Sequence, residues 1–396
     1  MNGKFNINNK TRVIATCDDL LLVTNNMDAS LNTIDEFAVI LDSEGNIVSP
    51  YTKIGVLTKY DIWEPIDTNY YEFNNSIDVS SINWLFGLAV GDAFGVPVEF
   101  MSRFVVKAFN LNDMIGELSH NVDAGTWSDD TSMTIATMDS IIEKKGKIDY
   151  DDIMTKFVYW FKYSDYTSIN KTFGVGRTVL KALRKYMFDR VPALKCGGSD
   201  FKDNGNGSLM RICPISIYCI KNRLSELETV DIINKASSLT HANDISKMGC
   251  FIYTEFLRKI YFTKDLRQAF DHILEIDYSK YYNKSALDEY SNLLSENFLL
   301  SKEDDIKENG YVVTSLQAAI YSLLHTDNYE DAIKCVVNLG YDTDTNAAIT
   351  GSIAGVLYGI EDIPVRWLEK LKKIDYLEDL CDKFDLVMNQ KKEKSK

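Results

Sequence analysis

Apolar positions along the chain change their rhythm near residue 78. Before it they fall in short β-type runs: Arg12 to Ala15, Leu20 to Thr24, Phe37 to Leu41 and Ile47-Val48. Ile54 to Leu57 and Tyr60 to Trp63 read as further strands, and Asp42-Ser43-Glu44-Gly45-Asn46 as a hairpin turn. The polar and aromatic stretch from Asp67 to Ser76 reads as a linker. Residues 1–77 are therefore expected to form a small strand-rich accessory module, and residues 78–396 a separate domain. From residue 78 the apolar period lengthens to that of a helix. Ser80 to Val90 is apolar, with Gly87, Ala89 and Gly91 small enough for a second helix to approach closely. Gly91, Gly95 and Pro97 are expected to end this helix and force a turn. Thr131 to Lys145 carries Ile135, Met138, Ile141 and Ile142 on one side. Helices are also predicted over 151–162, 179–186, 230–239, 244–261, 311–324, 329–339 and 345–359. The predicted fold is mainly α, a compact helical bundle behind the strand-rich module.

The 396 residues and a 45% hydrophobic fraction suffice for a large core. A net charge of −15 argues against a nucleic-acid surface, which needs a basic stripe. It also repels anionic substrates, so a site for one must be neutralised locally, as bound cations would do. Seven cysteines without a Cys-x-x-Cys pair suggest reduced thiols and a cytoplasmic protein. No signal peptide or membrane-spanning run is expected. The Lys-rich end reads as a solvated tail.

Two acidic clusters stand out: Ser128-Asp129-Asp130-Thr131 and Asp342-Thr343-Asp344-Thr345. Each places two carboxylates and hydroxyls at the mouth of a predicted helix. Hard divalent cations favour that oxygen-only donor set. Helix capping explains either cluster by itself, but not the shared grammar of both. Asp92 and Glu99 flank the Gly91–Pro97 turn, and Glu99 is a candidate site carboxylate or base. The loop Gly205-Asn206-Gly207-Ser208-Leu209-Met210-Arg211 can present backbone N–H groups to phosphate, with Arg211 either supporting the phosphate or pairing helices. His241 and Tyr311 lie at helix junctions, one a candidate phosphate or loop partner, the other a candidate ring to stack on a base or ribose.

Taken in order, Gly91-Asp92-Ala93-Phe94-Gly95-x-Pro97-x-Glu99, Trp127-Ser128-Asp129-Asp130-Thr131, Gly205 to Arg211, Thr240-His241 and Gly340-Tyr341-Asp342-Thr343-Asp344-Thr345 resemble the ADP-ribosylglycohydrolase family. The resemblance runs from about residue 80 to about 375. It implies an all-α fold with a binuclear Mg2+ or Mn2+ centre. By position it implies Ser128, Asp129, Asp130, Asp342, Asp344 and Thr345 as metal ligands. Glu99 would sit beside the metals and act with Asp129 and Asp130 in catalysis. Asp92, Asn206, Gly207, Ser208, Met210, His241 and Tyr311 would fall around the ADP-ribose. This chain departs from the family pattern at Ser128, where Thr is usual, and at Tyr341, where Gly is usual. Gly174 stands where many members carry an Asp implicated in arginine-directed activity, which sets arginine linkage in question.

The expected activity is hydrolysis of the bond between ADP-ribose and a protein side chain, releasing ADP-ribose. Some members of the family are immunity factors against ADP-ribosylating toxins, so residues 1–77 are a candidate contact for a toxin or a modified target. A binding or structural protein on the same fold, and a metal-dependent hydrolase of another nucleotide, are the alternatives. The released product separates them.

Overall fold

The computed structural model describes residues 79–307 and 309–394, and N-terminal to these six strands. The chain divides into two units, Met1–Asn75 and Ser76–Lys396. In the first, β1 (Arg12–Cys17), β2 (Leu20–Thr24), β3 (Ala38–Leu41) and β4 (Ile47–Ser49) form an antiparallel sheet in chain order. β5 (Gly55–Leu57) pairs antiparallel with β6 (Trp63–Pro65). The last strand starts at Trp63, later than the Tyr60 predicted. The expected turn at 42–46 and linker at 67–76 lie outside the described residues.

The second unit is all α among the described residues. Its longer helices are α1 (Ser81–Gly95), α2 (Arg103–Phe109), α3 (Asp129–Glu143), α4 (Tyr150–Tyr163), α5 (Arg177–Phe188), α6 (Cys213–Lys221), α7 (Glu226–Ser238) and α8 (Asp244–Thr263). They continue with α9 (Leu266–Glu275), α10 (Lys284–Tyr290), α11 (Val312–Leu324), α12 (Tyr329–Val337), α13 (Thr343–Tyr358), the single turn α14 (Val365–Leu368) and α15 (Ile374–Lys394).

The antiparallel pair α1–α13 is the spine. A Cβ on Gly87, Gly91 or Gly95 would fall on backbone of Gly351, Ala347 or Thr343 and Asp344 respectively. These four-residue steps bring the two backbones into direct contact. Tyr329 Oη donates to Gly87 O (2.6 Å) and Thr343 Oγ1 to Gly95 O (2.8 Å), closing carbonyls along the same seam. The expectation that Gly91 ends a helix is therefore wrong. α1 runs through Gly91 and Asp92 to Gly95, because packing against α13 outweighs a helix-interior glycine cost of about 1 kcal/mol. Pro97 then sits in a short 3-10 turn, Val96–Val98, that delivers Glu99.

Ser81–Val98 reaches a mean hydropathy of 1.2, enough by length and composition for a membrane span, yet 89% of it is buried within the fold. α3 is buried nearly all round rather than along one stripe. Its small hydroxyl residues make this possible by bonding their own helix, as Ser132 Oγ does to Ser128 O (2.7 Å) and Thr137 Oγ1 to Met133 O (2.9 Å). The chain end predicted as a solvated tail is helical to Lys394. Cys196, Cys213, Cys219, Cys250 and Cys381 are buried, Cys335 is half-buried, and these six are free thiols.

Candidate active site

Both acidic clusters start helices, and α1 holds both in place. Ser128 is the N-cap of α3, and its Oγ accepts from Asp130 N (3.4 Å) while donating to Asp130 Oδ2 (2.9 Å). Asp92, fully buried on α1, accepts from Ser128 N (2.9 Å), Thr131 N (3.0 Å) and Thr131 Oγ1 (2.6 Å). A carboxylate from one helix thus satisfies the orphan donors at the start of another. Asp342 begins α13 without a side-chain cap. Its Oδ2 instead accepts from Asn206 Nδ2 (2.6 Å), which also donates to Ser315 Oγ (2.9 Å). Thr345 Oγ1 reaches Asp130 Oδ2 at 3.3 Å, joining the two helix starts across 215 positions of sequence.

The carboxylates converge. Oxygens of Asp92, Asp130 and Asp344 lie within 4.8 Å of one another, and so do oxygens of Glu99, Asp342 and Asp344. Asp344 belongs to both groups. Burial drives the aspartic carboxyls here toward their neutral form. Asp92 is pushed up to about 6, and Asp342 to about 6 by burial and the charge of Glu99. Asp129, Asp130 and Asp344 are held well above the usual carboxylate range by burial and then by one another's charge. Asp130 Oδ1 is buried with no hydrogen-bond partner. An orphaned, buried carboxylate oxygen among mutually repelling carboxylates is the environment a divalent cation relieves, and the donors are the oxygens such ions prefer. The residues present fit divalent cations held by oxygen donors.

Above them opens a cavity of about 1020 Å³. Its lining includes Glu99, Asp129, Asp342, Asp344 and Thr345, and also Asn206, Gly207, Met210, His241 and Tyr311. Two loops far apart in sequence join in that wall by backbone pairing: Asn206 N donates to Gly310 O (3.1 Å) and Val312 N to Asn204 O (3.1 Å). His241 is buried, bonded through Nδ1 to Thr240 Oγ1 (2.8 Å), and pushed down to about 3 by burial and the nearby Arg211 charge. It is a neutral ring. Tyr311 Oη donates to Glu289 (2.9 Å), and its ring lies 6.2 Å from that of Phe201.

Five residues singled out in the sequence are not in the lining: Ser128 and Asp130 of the first acidic cluster, and Ser208, Asp92 and Arg211. Ser208 is buried behind the loop, accepting from Ser237 Oγ (3.0 Å). Asp92 is spent largely on α3. Arg211 neither reaches the cavity nor forms an ion pair among the described residues. It donates to Thr240 Oγ1 (2.7 Å) and lies over the Phe157 ring at 4.7 Å, where burial lowers it to about 10. Its expected phosphate or ion-pair role gives way to core packing, because a short loop backs directly onto α7.

The sequence reading missed His120, whose Nε2 contacts Glu99 Oε2. Its ring lies 5.9 Å from that of Phe100 and 5.2 Å from that of Phe173. A lone histidine in a loop carries no motif; its scarcity, four in the chain, was the one available signal. Gly174, in the cavity wall, has φ +77°, and a Cβ there would fall on Asp129 Oδ1. Phe201, Lys202 and Arg177 also line the cavity, the first two within the 196–204 segment whose sequence reads as a border of the pocket.

The ADP-ribosylglycohydrolase family profile matches residues 81–395. The ADP-ribosylarginine hydrolase Tri1 of Serratia proteamaculans is 32% identical, over 75% of this chain and 76% of its own. The ADP-ribosyl-[dinitrogen reductase] glycohydrolase of Rhodospirillum rubrum is 26% identical, over 75% of this chain and 91% of its own. A solved structure described as an ADP-ribosylglycohydrolase-related protein complex shares the fold, with TM-score 0.64 and 24% identity, covering 78% of this chain and 97% of that one. With the profile spanning the whole helical unit, the chain belongs to the ADP-ribosylglycohydrolase family, enzymes that hydrolyse glycosyl bonds.

Proposed function

We propose that the protein hydrolyses the glycosidic bond joining ADP-ribose to a protein side chain, and so reverses mono-ADP-ribosylation. The observation that carries this reading is Asp344, shared by two carboxylate triads beneath a cavity at the upper end of the range for small-molecule sites. Support also comes from the relatives, two of which are named ADP-ribosylarginine hydrolase.

Asp92, Asp130 and Asp344 would hold one divalent cation and Asp342 and Asp344 would share in a second, with Ser128, Asp129, Thr345 and Glu99 adjoining. When bound, Mg2+ or Mn2+ supplies the positive charge that offsets these carboxylates and makes water more acidic. The residues of the chain do the rest. Asn206 fixes the rotamer of Asp342 by donating to its Oδ2. His120 occupies Glu99 Oε2 and leaves Oε1 to accept a proton from the attacking water. As the bond to the anomeric carbon breaks, positive charge grows on the sugar, where the Asp129 carboxylate stabilises it, and the proton taken up by Glu99 passes to the departing side-chain atom. Neutral His241 and the backbone of Gly205–Gly207 also line the cavity, suited to an anionic ligand that a row of carboxylates would repel.

The deciding experiment is a panel of ADP-ribosylated arginine, serine and DNA substrates, incubated with the protein and Mg2+ or Mn2+. Release of free ADP-ribose from a protein-type conjugate, abolished by chelator, is expected. Release of inorganic phosphate instead, or of nothing, would sink the reading.

A further inference from the structure

Two residues at the cavity mouth break the usual backbone rule. Phe100 has φ +65° and Tyr341 φ +58°. In this left-handed region Cβ crowds the backbone, so glycine is favoured and bulky residues are rare. Both side chains are exposed, Phe100 by 70% and Tyr341 by 46%, so little burial of either ring offsets the strain. The two are locked together: Phe100 N donates to Tyr341 O (2.6 Å) and Tyr341 N to Met101 O (2.6 Å). Each adjoins a site carboxylate, Phe100 following Glu99 and Tyr341 preceding Asp342. Apolar surface continues from Phe100 onto α2, which buries Val106 and exposes Phe104, Val105 and Phe109.

We propose that Phe100 and Tyr341 recognise the polypeptide that carries the ADP-ribose, as a ring pair against the stretch of chain flanking the modified residue. This rests on the hydrolase reading above. Strained backbone persists where the surroundings over-determine it, and such strain gathers at functional sites. Glycine would satisfy the loop at position 341 without strain, so the exposed ring is there for something outside the fold. The partner of Tyr341 is not the nucleotide, because Tyr341 is absent from the cavity lining, whereas Phe100 is part of it. A conjugate whose sugar reaches Glu99 and Asp342 while still attached to a protein must pass this rim. Rigid aromatic side chains suit such a contact, giving large area at low ordering cost. Nearby Glu99, Asp129 and Asp342, on a chain of net charge −15, favour a polypeptide over a phosphate backbone. Tyr341 is thus a positioning residue that sets which conjugates are taken.

The test compares two substrates with one linkage: the ADP-ribosyl amino acid alone, and a peptide bearing it on a central residue. For Tyr341→Gly, kcat/KM on the peptide should fall about tenfold, mostly through KM, while the amino-acid conjugate changes by less than about twofold. Its melting temperature should hold or rise by up to about 3 °C, because glycine relieves the strain. Tyr341→Phe, which keeps the ring, should behave as wild type on both substrates. Equal losses on both substrates, no loss on the peptide, or a melting temperature lowered by more than about 3 °C would overturn the proposal. A wild-type protein that frees ADP-ribose from neither would overturn it together with the hydrolase reading.

Discussion

The starts of α3 and α13 use nearly the same residues, and the fold holds them in different ways. At α3 the donors of the first turn are consumed by Ser128 and by Asp92 from α1. That end is a finished cap with carboxylates added. At α13 there is no side-chain cap, and position comes from backbone packed on backbone, with Gly95 against Thr343 and Asp344. Asp342 and Asp344 therefore serve the cavity, braced by Asn206 and Thr345 rather than by a helix cap. Similar sequence grammar thus gives one helix start devoted in part to stability and another devoted to the site. Both depend on a single helix, α1, which offers Asp92 to one and its glycine seam to the other.

The sharpest way to break this comparison is Asp344→Ala. It removes the carboxylate common to both triads and should lower ADP-ribose release by about 10²–10³-fold. Asp342→Ala touches one triad and should cost less. Equal losses, measured as kcat/KM with the Mn2+ binding isotherm alongside, would argue against a shared ligand. Next in size is Gly91→Ala. Its Cβ would meet the Ala347 carbonyl, so the α1–α13 seam must open, at about 1–3 kcal/mol of unfolding free energy by denaturant titration. If the spine positions both acidic helix starts, the same variant also weakens cation binding.

The smallest effect is in pH. Asp92 and Asp342 rise from 3.8 to about 6 on folding, so the folded state binds protons that the unfolded chain has lost. Without divalent cation, stability from these groups is present at low pH and lost as pH climbs from about 4 through about 6. The chelated protein should therefore melt higher at pH 5 than at pH 7.5 as far as this site is concerned. With Mn2+ the order should reverse, since the ion requires ionised carboxylates. Thermal melts at both pH values, with and without Mn2+, check the sign. Asp92→Asn should flatten the dependence.

Much of this architecture was legible beforehand. Helical rhythm and capping residues gave α4, α8, α11 and α12 close to their observed ends. α7 begins earlier than predicted, at Glu226, through the Ser225–Glu228 capping box, a local signal that was readable. α2, α6, α9, α10 and α15 were missed. In α9 and α15 the signal was there, since Leu266, Ala269, Phe270 and Ile273 in one and Leu377, Leu380, Cys381, Phe384 and Met388 in the other keep helical spacing among charged residues.

Residue types and order determined which chemistry this chain can carry: paired aspartates, hydroxyls and a glycine-spaced helix, in a family's succession. Sequence alone also made Gly91 look like a terminator and Arg211 like a phosphate ligand. Only the tertiary structure decided otherwise, because whether a glycine ends a helix or seats another one depends on what packs against it. His120 could be found only there, since its pairing with Glu99 depends on how a loop folds back over the site. The carboxylate triads belong to the same class, for their members lie up to 252 positions apart and meet only when α1 closes on α13.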